Sequence, residues 1–282
     1  MAKNKSVKVK AEYTVETMDG PYGLAIPTRG LFKGDELVTQ VESYMDLDPE
    51  SPQAWGIFRQ RLSRLHTEFD LWKTIIIDSL TFAEIAARLE SKYNLNKTAK
   101  DERRHYAYST DEIERACLIR FGSIPCNVVV LCHIDETIVQ DEEHKGGQIV
   151  AARDEVNGAM VRNPAAPGRL RKRLPGGYDG LFHAYTEFNG PERTYVWQTQ
   201  PDAKWNSMNS IDAPSPCLAT YDSLWENWEG EHPALHIVCY GDPGSGKSTG
   251  FATFPKPLLV FNFDPQSKSL PYLRPKETWT NE

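Results

Sequence analysis

The chain has 282 residues, of which 25% are charged and 40% hydrophobic, and its formal net charge is −7 at pH 7. This balance is typical of a folded globular protein, and it excludes a wholly basic nucleic-acid coat but not a local basic groove. No apolar run approaches the length of a membrane span, and the basic amino terminus carries no apolar signal segment, so we expect a cytoplasmic protein without a membrane partner. The five cysteines are odd in number and lack C-x-x-C spacing, which favours buried, reduced thiols over a zinc site or disulfides.

The first part of the chain predicts helices that alternate with buried strands. An amphipathic pattern over residues 51 to 65 predicts a helix that opens with Ser-Pro. Residues 73 to 78, KTIIID, form an apolar β-branched run that ends at Asp78, as expected of a buried parallel strand with a carboxylate at its carboxyl end. The sequence TFAE from Thr81 is a capping box, which predicts a helix directly after that strand.

The following segments extend a predicted α/β fold. Ser109 and Glu112 form a second capping signal, so we expect a helix that begins there and leads into NVVVLCHID, residues 127 to 135, another buried strand with polar groups at its end. Residues 181 to 188 and 193 to 200 alternate or concentrate β-formers and predict a closing hairpin. With the carboxyl-terminal strands, we expect about six strands and at least four helices in an α/β sandwich.

The stretch LHIVCYGDPGSGKSTGF, residues 235 to 251, carries the most specific signal in the chain. A strand-like apolar run leads into Gly241 and then into Gly246, Lys247 and Ser248 at the spacing of the Walker A pattern. Glycines in such a loop let backbone N–H groups converge on phosphate oxygens, while Lys247 reaches the β and γ phosphates and Ser248 is a ligand of Mg²⁺. The alternative is a glycine-rich turn that opens an ordinary helix. The predicted nucleotide-binding residues are Gly241, Asp242, Pro243, Gly244, Ser245, Gly246, Lys247, Ser248 and Thr249.

The position of this loop late in the chain requires the rest of its sheet to come from upstream. Only one further strand is credible after the loop, residues 257 to 263, and it ends at Asp264. We therefore expect Asp78 to be the carboxylate that orders Mg²⁺. If residues 235 to 282 are moved to the front of the chain, the elements follow the conventional P-loop order, so we predict one circularly permuted domain over residues 1 to 282. The alternative is a truncated chain that lacks a second NTPase domain.

In this order the chain resembles the RecA-like ATPase superfamily, in particular the small RecA/RadA-type ATPases of bacteriophages that act in recombination and single-strand annealing. The matching pieces are HIVCYGDPGSGKST, LLVFNFDPQSKSL, TIIIDSLT, VVVLCHID and YVWQTQPDAKWNSMNS. The resemblance implies a RecA-like P-loop core with a mostly parallel central sheet flanked by helices. Residues 235 to 282 would form its P-loop strand–helix–strand unit, and residues 70 to 200 its Walker B strand, sensor strand, basic loop and closing hairpin. It also implies ATP and Mg²⁺ as cofactors, filaments or rings as the assembly, single-stranded DNA as the partner and a host cytoplasm as the location.

The resemblance also implies roles for single residues. Lys247 and Ser248, with Thr249 beside them, match the phosphate and magnesium residues of the family. Asp78 matches the Walker B carboxylate, and His133 matches the position of a polar sensor of the γ-phosphate. The alternative for His133 is a strand-end histidine that is bonded locally to the backbone.

The catalytic base is expected after the strand that follows the P-loop helix, where the family usually has a glutamate. Here the sequence is FDPQS, in which Asp264 can orient or deprotonate the attacking water and Gln266 can position it without taking a proton. Hydrolysis is expected to be slow if Gln266 takes the place of the glutamate, and Asp264 is alternatively a turn residue. Lys204 matches a position from which the family reaches the ATP of a neighbouring subunit, or it is a solvated lysine in a turn.

Residues 136 to 180 are predicted to be a mobile loop that contacts DNA. Few apolar residues recur there, and GRLRKRLPGG places four positive charges within five residues between glycines, which suits a phosphate backbone. Tyr178 would add a face for base stacking. The alternatives are a solvated basic loop and a contact with the acidic surface of a neighbouring subunit. The predicted DNA-binding residues are Arg169, Arg171, Lys172 and Arg173.

We therefore predict a Mg²⁺-dependent ATPase, stimulated by DNA, that acts on single-stranded DNA in recombination or strand annealing. It is expected to form a homo-oligomer and to act alone or with an annealing or single-strand-binding partner protein. Three other functions stay open. They are a ring-type DNA motor such as a helicase or packaging ATPase, a P-loop small-molecule phosphotransferase with the basic segment as its lid, and a binding module without turnover.

Overall fold

The computed structural model describes residues 13–46, 48–138, 160–166, 170–201, 207–226, 228, 231–264 and 272–273. In chain order its strands are β1 (Tyr13–Met18), β2 (Thr28–Lys33), β3 (Glu36–Ser43), β4 (Thr74–Asp78), β5 (Asn127–Cys132), β6 (Ile134–Ile138), β7 (Met160–Pro164), β8 (Gly180–Asn189), β9 (Glu192–Gln198), β10 (Met208–Asn209), β11 (Cys217–Leu218), β12 (His236–Gly241) and β13 (Leu258–Asn262). Its α-helices are α1 (Ala54–Leu65), α2 (Leu80–Glu90), α3 (Glu102–Glu114), α4 (Leu170–Arg173) and α5 (Lys247–Phe251). The ends of α2 and α3 continue in wider helical turns, Ser91–Leu95 and Arg115–Arg120.

One mixed sheet organises the fold. Within the described ranges it has eleven strands in the order β1-β2-β3-β13-β4-β5-β12-β8-β9-β11, with β10 beside β8. The six strands from β3 to β8 in this order run parallel, and antiparallel strands extend the sheet on both sides. Strands β6 and β7 form a separate antiparallel pair. The chain therefore has the predicted α/β class, with a mostly parallel central sheet flanked by helices.

The central strands follow the apolar runs of the sequence. All residues of β4, β5 and β13 are buried, because helices or other chain segments cover both faces of the sheet at its centre. Strands β8 and β9 pair as the predicted hairpin. These five strands and β12 confirm the six strands expected from the sequence.

Each face of the sheet has its own hydrophobic core. Helices α1, α2 and α3 cover one face. There the ring of Phe58 in α1 packs edge-on against the ring of Phe261 in β13, with centroids 5.3 Å apart, and its centroid lies 5.2 Å from that of Trp55. On the opposite face, Phe251 of α5 stacks on Trp197 of β9 with ring centroids 4.7 Å apart. The sheet thus separates two packed layers, and the ends of its parallel strands are left for a site.

The first three strands were not predicted from the sequence. Strands β1, β2 and β3 form an antiparallel meander that joins the central sheet where β3 pairs with β13. Strand β1 lies at the sheet edge, where Val15 is half exposed and polar residues alternate with apolar ones. The sequence signal of such a strand is weak, because an edge strand buries little of its surface.

Two predicted helix starts are wrong. The hydroxyl of Thr81 does not cap α2 but donates to the carbonyl of Ala165, 3.2 Å away, and the helix begins at Leu80. Helix α3 begins before Ser109, because the Asp101 side chain caps it by accepting a hydrogen bond from the N–H of Arg103 at 3.0 Å. At α3 the cap is thus Asp101, eight residues before the predicted start, whereas Ser79 before α2 makes no side-chain cap.

Two expectations from composition can be compared with the structure. All five cysteines are free thiols, and four of them are buried. Across the described ranges, no helix is both long enough and apolar enough to cross a bilayer.

Candidate nucleotide-binding site

The carboxyl ends of the parallel strands bring the predicted site residues to one edge of the sheet. Asn262 at the end of β13 lies opposite Asp78 at the end of β4, and β12 ends at Gly241 beside β5. His133 directly follows β5, and Asp264 lies two residues beyond β13. Segments that are far apart in the chain therefore meet here, at the edge where open α/β sheets bind their ligands.

The loop between β12 and α5 needs glycine at two close approaches. Gly246 has φ +82°, and a Cβ there would lie 2.2 Å from Cδ1 of Tyr195 in β9. A Cβ on Gly241 would lie 2.4 Å from the carbonyl oxygen of Ala184 in β8. The β8–β9 hairpin therefore packs directly against the loop, and larger residues at these positions would displace it.

Lys247 closes the loop on itself. Its ammonium donates to the carbonyl oxygens of Gly241 at 2.7 Å and Asp242 at 2.9 Å, and it lies 3.5 Å from the hydroxyl of Ser245. The side chain is buried, and burial lowers the pKa of Lys247. Within the described residues no carboxylate forms an ion pair with this ammonium, so its positive charge is held inside the loop by neutral carbonyls. A buried cation held in this way is suited to an anionic ligand.

Asp78 connects three segments of the chain. Its Oδ2 accepts hydrogen bonds from the Ser248 hydroxyl at 2.8 Å and from the Tyr272 hydroxyl at 2.9 Å. Its backbone carbonyl accepts from the N–H groups of Phe263 at 2.6 Å and Asp264 at 3.1 Å. The carboxylate is therefore fixed against the loop between β12 and α5, and also against a tyrosine that the sequence did not indicate.

The surroundings of Asp78 shift the pKa of its carboxyl in two opposing directions. Burial raises the pKa of this carboxyl, and the nearby charge of Asp264 raises it further. The hydrogen bonds from Ser248 and Tyr272 and the charge of Lys247 oppose the rise, because they stabilise the ionised form. For Tyr272, burial and the adjacent carboxylate raise the pKa well above its usual value, so this phenol keeps its proton and donates it.

Asp78 and Ser248 fit a Mg²⁺ ion that arrives with a nucleotide. The part of the chain that the structure describes contains no cluster of three or more His, Cys, Asp or Glu residues that would hold a metal alone. Mg²⁺ in nucleotide sites keeps several waters and takes only one or two protein carboxylates besides the phosphates. The Ser248 hydroxyl gives its proton to Asp78, so its lone pairs are left for a cation.

His133 lies between the loop and Asp264. Its backbone N–H donates to the Thr81 hydroxyl at 3.1 Å, and its ring packs edge-on against Phe82 with centroids 5.4 Å apart. The ring atom Nε2 is buried and has no hydrogen-bond partner among the described residues. Burial and the charge of Lys247 lower the pKa of His133, whereas Asp264 acts in the opposite direction. The backbone N–H of this residue is satisfied locally, whereas its buried Nε2 has no partner in the part of the chain that the structure describes.

The remaining predicted catalytic residues are only partly described. The N–H of Asp264 donates to the carbonyl of Asp78 and, at 3.3 Å, to the side-chain oxygen of Asn262. Asp264 is half-buried, and its charge influences both Asp78 and His133. It therefore lies beside Asp78, and its predicted action on water stays a prediction. Gln266 and Lys204 lie outside the described residues.

Two residues of the β8–β9 hairpin touch the phosphate loop and were missed by the sequence analysis. The Arg193 guanidinium donates to the carbonyl of Gly244, and it lies over the ring of Tyr195 at 4.7 Å from its centroid. The hydroxyl of Thr186 lies 3.5 Å from the same carbonyl. No motif marks these positions, because they reach the loop only through the pairing of β8 with β12.

The predicted DNA-binding segment is partly anchored. Leu170 and Leu174 are fully buried, and the Arg173 guanidinium is paired with Glu114 of α3. Tyr178 is 7% exposed, and its hydroxyl donates to the carbonyl of Cys117 at 3.0 Å. The expected stacking face at Tyr178 is therefore wrong, and so is the expectation of a loop without structure throughout this stretch. Arg169 and the side chains of Arg171 and Lys172 lie outside the described residues.

The loop, Asp78, His133 and Asp264 thus form one site from four strand ends. Comparison of the chain with models of known protein families, with curated proteins and with solved structures found no match.

Proposed function

We propose that this chain is a Mg²⁺-dependent P-loop ATPase with a RecA-like core in circularly permuted order. The observation that carries the proposal is the 2.8 Å hydrogen bond between Ser248 and Asp78, which joins the phosphate loop to a strand-end carboxylate 170 residues away. The Walker A pattern and the Walker B assignment were made from separate parts of the sequence. A chance glycine-rich turn would have no reason to lie against that carboxylate.

The strand arrangement supports the permuted order. When residues 235 to 264 are read first, β12 and β13 are followed by the β1–β3 meander, then by β4 and β5, and after the β6–β7 pair by β8. In the sheet β12, β13, β4, β5 and β8 are parallel neighbours, with β12 between β5 and β8, and β4 between β13 and β5. The loop strand and the carboxylate strand therefore both flank β5, which ends at the sensor position. A continuous P-loop core results although its first strand lies late in the chain.

Each residue of the site has a distinct task in this proposal. Backbone N–H groups of the loop bind the phosphates, and the Lys247 ammonium moves from the loop carbonyls to the β and γ phosphates. Asp78 and Ser248 hold Mg²⁺, which supplies charge neutralisation of the transferred phosphoryl group. His133 offers its unpartnered Nε2 to the γ-phosphate, and Asp264 orients or deprotonates the attacking water.

Single-stranded DNA is the partner we propose for the face beyond this site. The β6–β7 pair leaves the sheet directly after His133, and the N–H of Ala165 returns to donate to the carbonyl of His133 at 2.7 Å. The basic segment around α4 follows within a few residues. Because this route begins at the proposed γ-phosphate sensor, binding at the basic segment has a direct connection to the nucleotide. A homo-oligomer in which Lys204 reaches the next subunit belongs to the same proposal.

The test is steady-state ATP hydrolysis with Mg²⁺, with and without single-stranded DNA, at two salt concentrations. Hydrolysis that DNA stimulates at low salt and less at high salt supports both parts of the proposal. Hydrolysis at the same rate with and without DNA supports the ATPase activity and contradicts single-stranded DNA as the partner. ATP-dependent strand displacement would indicate a motor, and phosphate transfer that requires a small acceptor would indicate a phosphotransferase.

The matched control for the nucleotide site is Lys247→Ala. Its partners in the protein are carbonyls of its own loop, so the variant should keep its fold while nucleotide affinity or turnover falls. Circular dichroism and nucleotide titration of the same sample separate these effects. Undiminished binding and hydrolysis in this variant would show that the site is placed wrongly.

A further inference from the structure

Tyr272 reaches the metal position from a part of the chain that carries no motif. The residue is fully buried in the core layer opposite α1, α2 and α3. Its hydroxyl donates to Oδ2 of Asp78 at 2.9 Å across 194 residues of sequence. Because the Tyr272 ring is fully buried in a close-packed core, its movement is restricted.

Two hydroxyl protons meet on one carboxylate oxygen. Ser248 donates to Oδ2 of Asp78 at 2.8 Å, and Tyr272 donates to the same oxygen. The terminal torsion of an aspartate is soft, and a serine hydroxyl rotates easily, so the bond from Ser248 alone leaves the carboxylate free to turn. A second donor on a fixed ring removes that freedom. The orientation of Asp78 toward its ligand is then set before the ligand arrives.

We propose that Tyr272 is a positioning residue that holds Asp78 in the orientation required for Mg²⁺ bound with a nucleotide. Residues that orient a metal-binding carboxylate act through hydrogen bonds of this kind. This inference rests on the proposed nucleotide site and adds to it a residue outside every motif. Tyr272 itself touches neither the nucleotide nor the reacting atoms.

The experiment compares wild type with Tyr272→Phe, which removes one oxygen and keeps the ring. Binding of a fluorescent ADP analogue is titrated in EDTA and at increasing Mg²⁺ concentration. We expect the Mg²⁺ concentration for half-maximal binding to rise by about 10-fold or more, the usual effect of removing an outer hydrogen bond to a ligand. Affinity in EDTA should not change, because the phosphate loop is untouched. A merely structural defect would lower both.

Tyr44→Phe is the matched control. Tyr44 is also a buried tyrosine whose hydroxyl donates to a buried carboxylate, Oε2 of Glu42, at 2.7 Å. This second pair belongs to the interface between β3 and α1 and not to the proposed site. We expect this variant to keep the wild-type dependence on Mg²⁺ even if it is less stable.

The outcomes separate the inference from the function on which it rests. Wild type that shows no Mg²⁺-dependent nucleotide binding overturns the proposed function. If wild type binds the nucleotide in a Mg²⁺-dependent way and Tyr272→Phe has the same Mg²⁺ dependence, only the role of Tyr272 is overturned. If Tyr272→Phe does not fold, fluorine NMR of the wild-type chain labelled with fluorotyrosine replaces it. A buried tyrosine signal that shifts when Mg²⁺ is added to the ADP complex supports the inference, and no shift overturns it.

Discussion

Glu42 and Asp78 are two buried carboxylates on either side of β13, where they lie opposite the consecutive residues Phe261 and Asn262. Neighbouring positions on a strand face opposite sides of a sheet, so the two carboxylates point into different layers. Glu42 points toward α1, and Asp78 points toward the phosphate loop and Tyr272. The same residue class at the same depth therefore meets two different environments.

The difference lies in the charge that each carboxylate meets. Nε of Arg61 lies 3.0 and 3.1 Å from the two oxygens of Glu42, and both side chains are fully buried. Among the described residues, the Asp78 carboxylate accepts hydrogen bonds from two hydroxyls, and no Lys or Arg forms an ion pair with it. Burial raises the pKa of both carboxyls, but Arg61 opposes the rise at Glu42 and the hydroxyls of Ser248 and Tyr272 oppose it at Asp78. Glu42 is therefore paired with a buried cation, whereas Asp78 is held by the neutral hydroxyls of Ser248 and Tyr272.

The largest effect on function is expected from Asp78→Asn. The amide oxygen can still accept the two hydroxyl protons, so the thermal unfolding midpoint should change by only a few degrees. Loss of the ionised ligand should lower Mg²⁺-dependent ATP hydrolysis by about 100-fold or more, as for other groups that stabilise transition-state charge. A folded variant with the wild-type rate would contradict the assignment of Asp78.

Glu42→Gln should have the opposite effect, a loss of stability without a loss of nucleotide binding. It leaves the Arg61 guanidinium buried without its main partner, which is expected to cost about 3 kcal/mol or more of unfolding free energy. Urea unfolding measures this loss, and nucleotide affinity of the folded variant should stay at the wild-type value. Arg61 is also paired with Glu68, so the triple variant Glu42→Gln, Arg61→Met and Glu68→Gln tests the cause, because removing all three charges should recover part of the loss. A nucleotide defect in folded Glu42→Gln would break the comparison.

The ion pair of Arg173 leads to a prediction for the basic segment, residues 169 to 173. Arg173 is paired with Glu114, so Arg173→Ala should change DNA binding little. Arg171→Ala with Lys172→Ala should lower DNA stimulation and reduce the salt dependence of binding by about 0.7 in log–log slope for each lost phosphate contact. Fluorescence anisotropy with a labelled single strand measures both variants. Equal salt-dependence slopes for DNA binding in wild type and the double variant would show that the segment does not contact DNA.

The smallest effect is expected from the titration of His133. Burial and the charge of Lys247 lower the pKa of His133 below its ordinary value of 6.5, so the unfolded chain binds this proton at a higher pH than the folded chain does. The corresponding stability is fully present above that ordinary value and is lost as the pH falls toward the folded-state pKa. Between about pH 7.5 and about pH 5.5, the unfolding midpoint of wild type should therefore fall slightly more than that of His133→Asn. Parallel curves would show that the ring is already satisfied.

The sequence predicted the parts of the site that depend on strict spacing or on strand ends. Lys247 and Ser248 follow from a motif, while Asp78 and His133 follow from apolar runs that stop at polar residues, and the structure brings all four to one edge. Asp264 also arrives there, although its role stays a prediction. These features are local in sequence, and parallel pairing alone brings them together.

Other features depend on contacts that no local pattern contains. Tyr272 is one aromatic residue outside every motif, and its partner lies 194 residues away. The composition of the basic segment showed its charge but not that Leu170 and Leu174, spaced by one helical turn, are buried beneath it. Charge content indicates what a segment can bind, and only packing shows which charges are already used.

The contacts of Asp78 also have a consequence for how the protein folds. Its partners Ser248 and Tyr272 lie 170 and 194 residues further along the chain, so the site cannot form from any local piece. Closing such long loops costs conformational entropy and slows folding. If the proposed function is correct, nucleotide binding is therefore acquired late in folding, and it reports that Ser248 and Tyr272 have docked on Asp78.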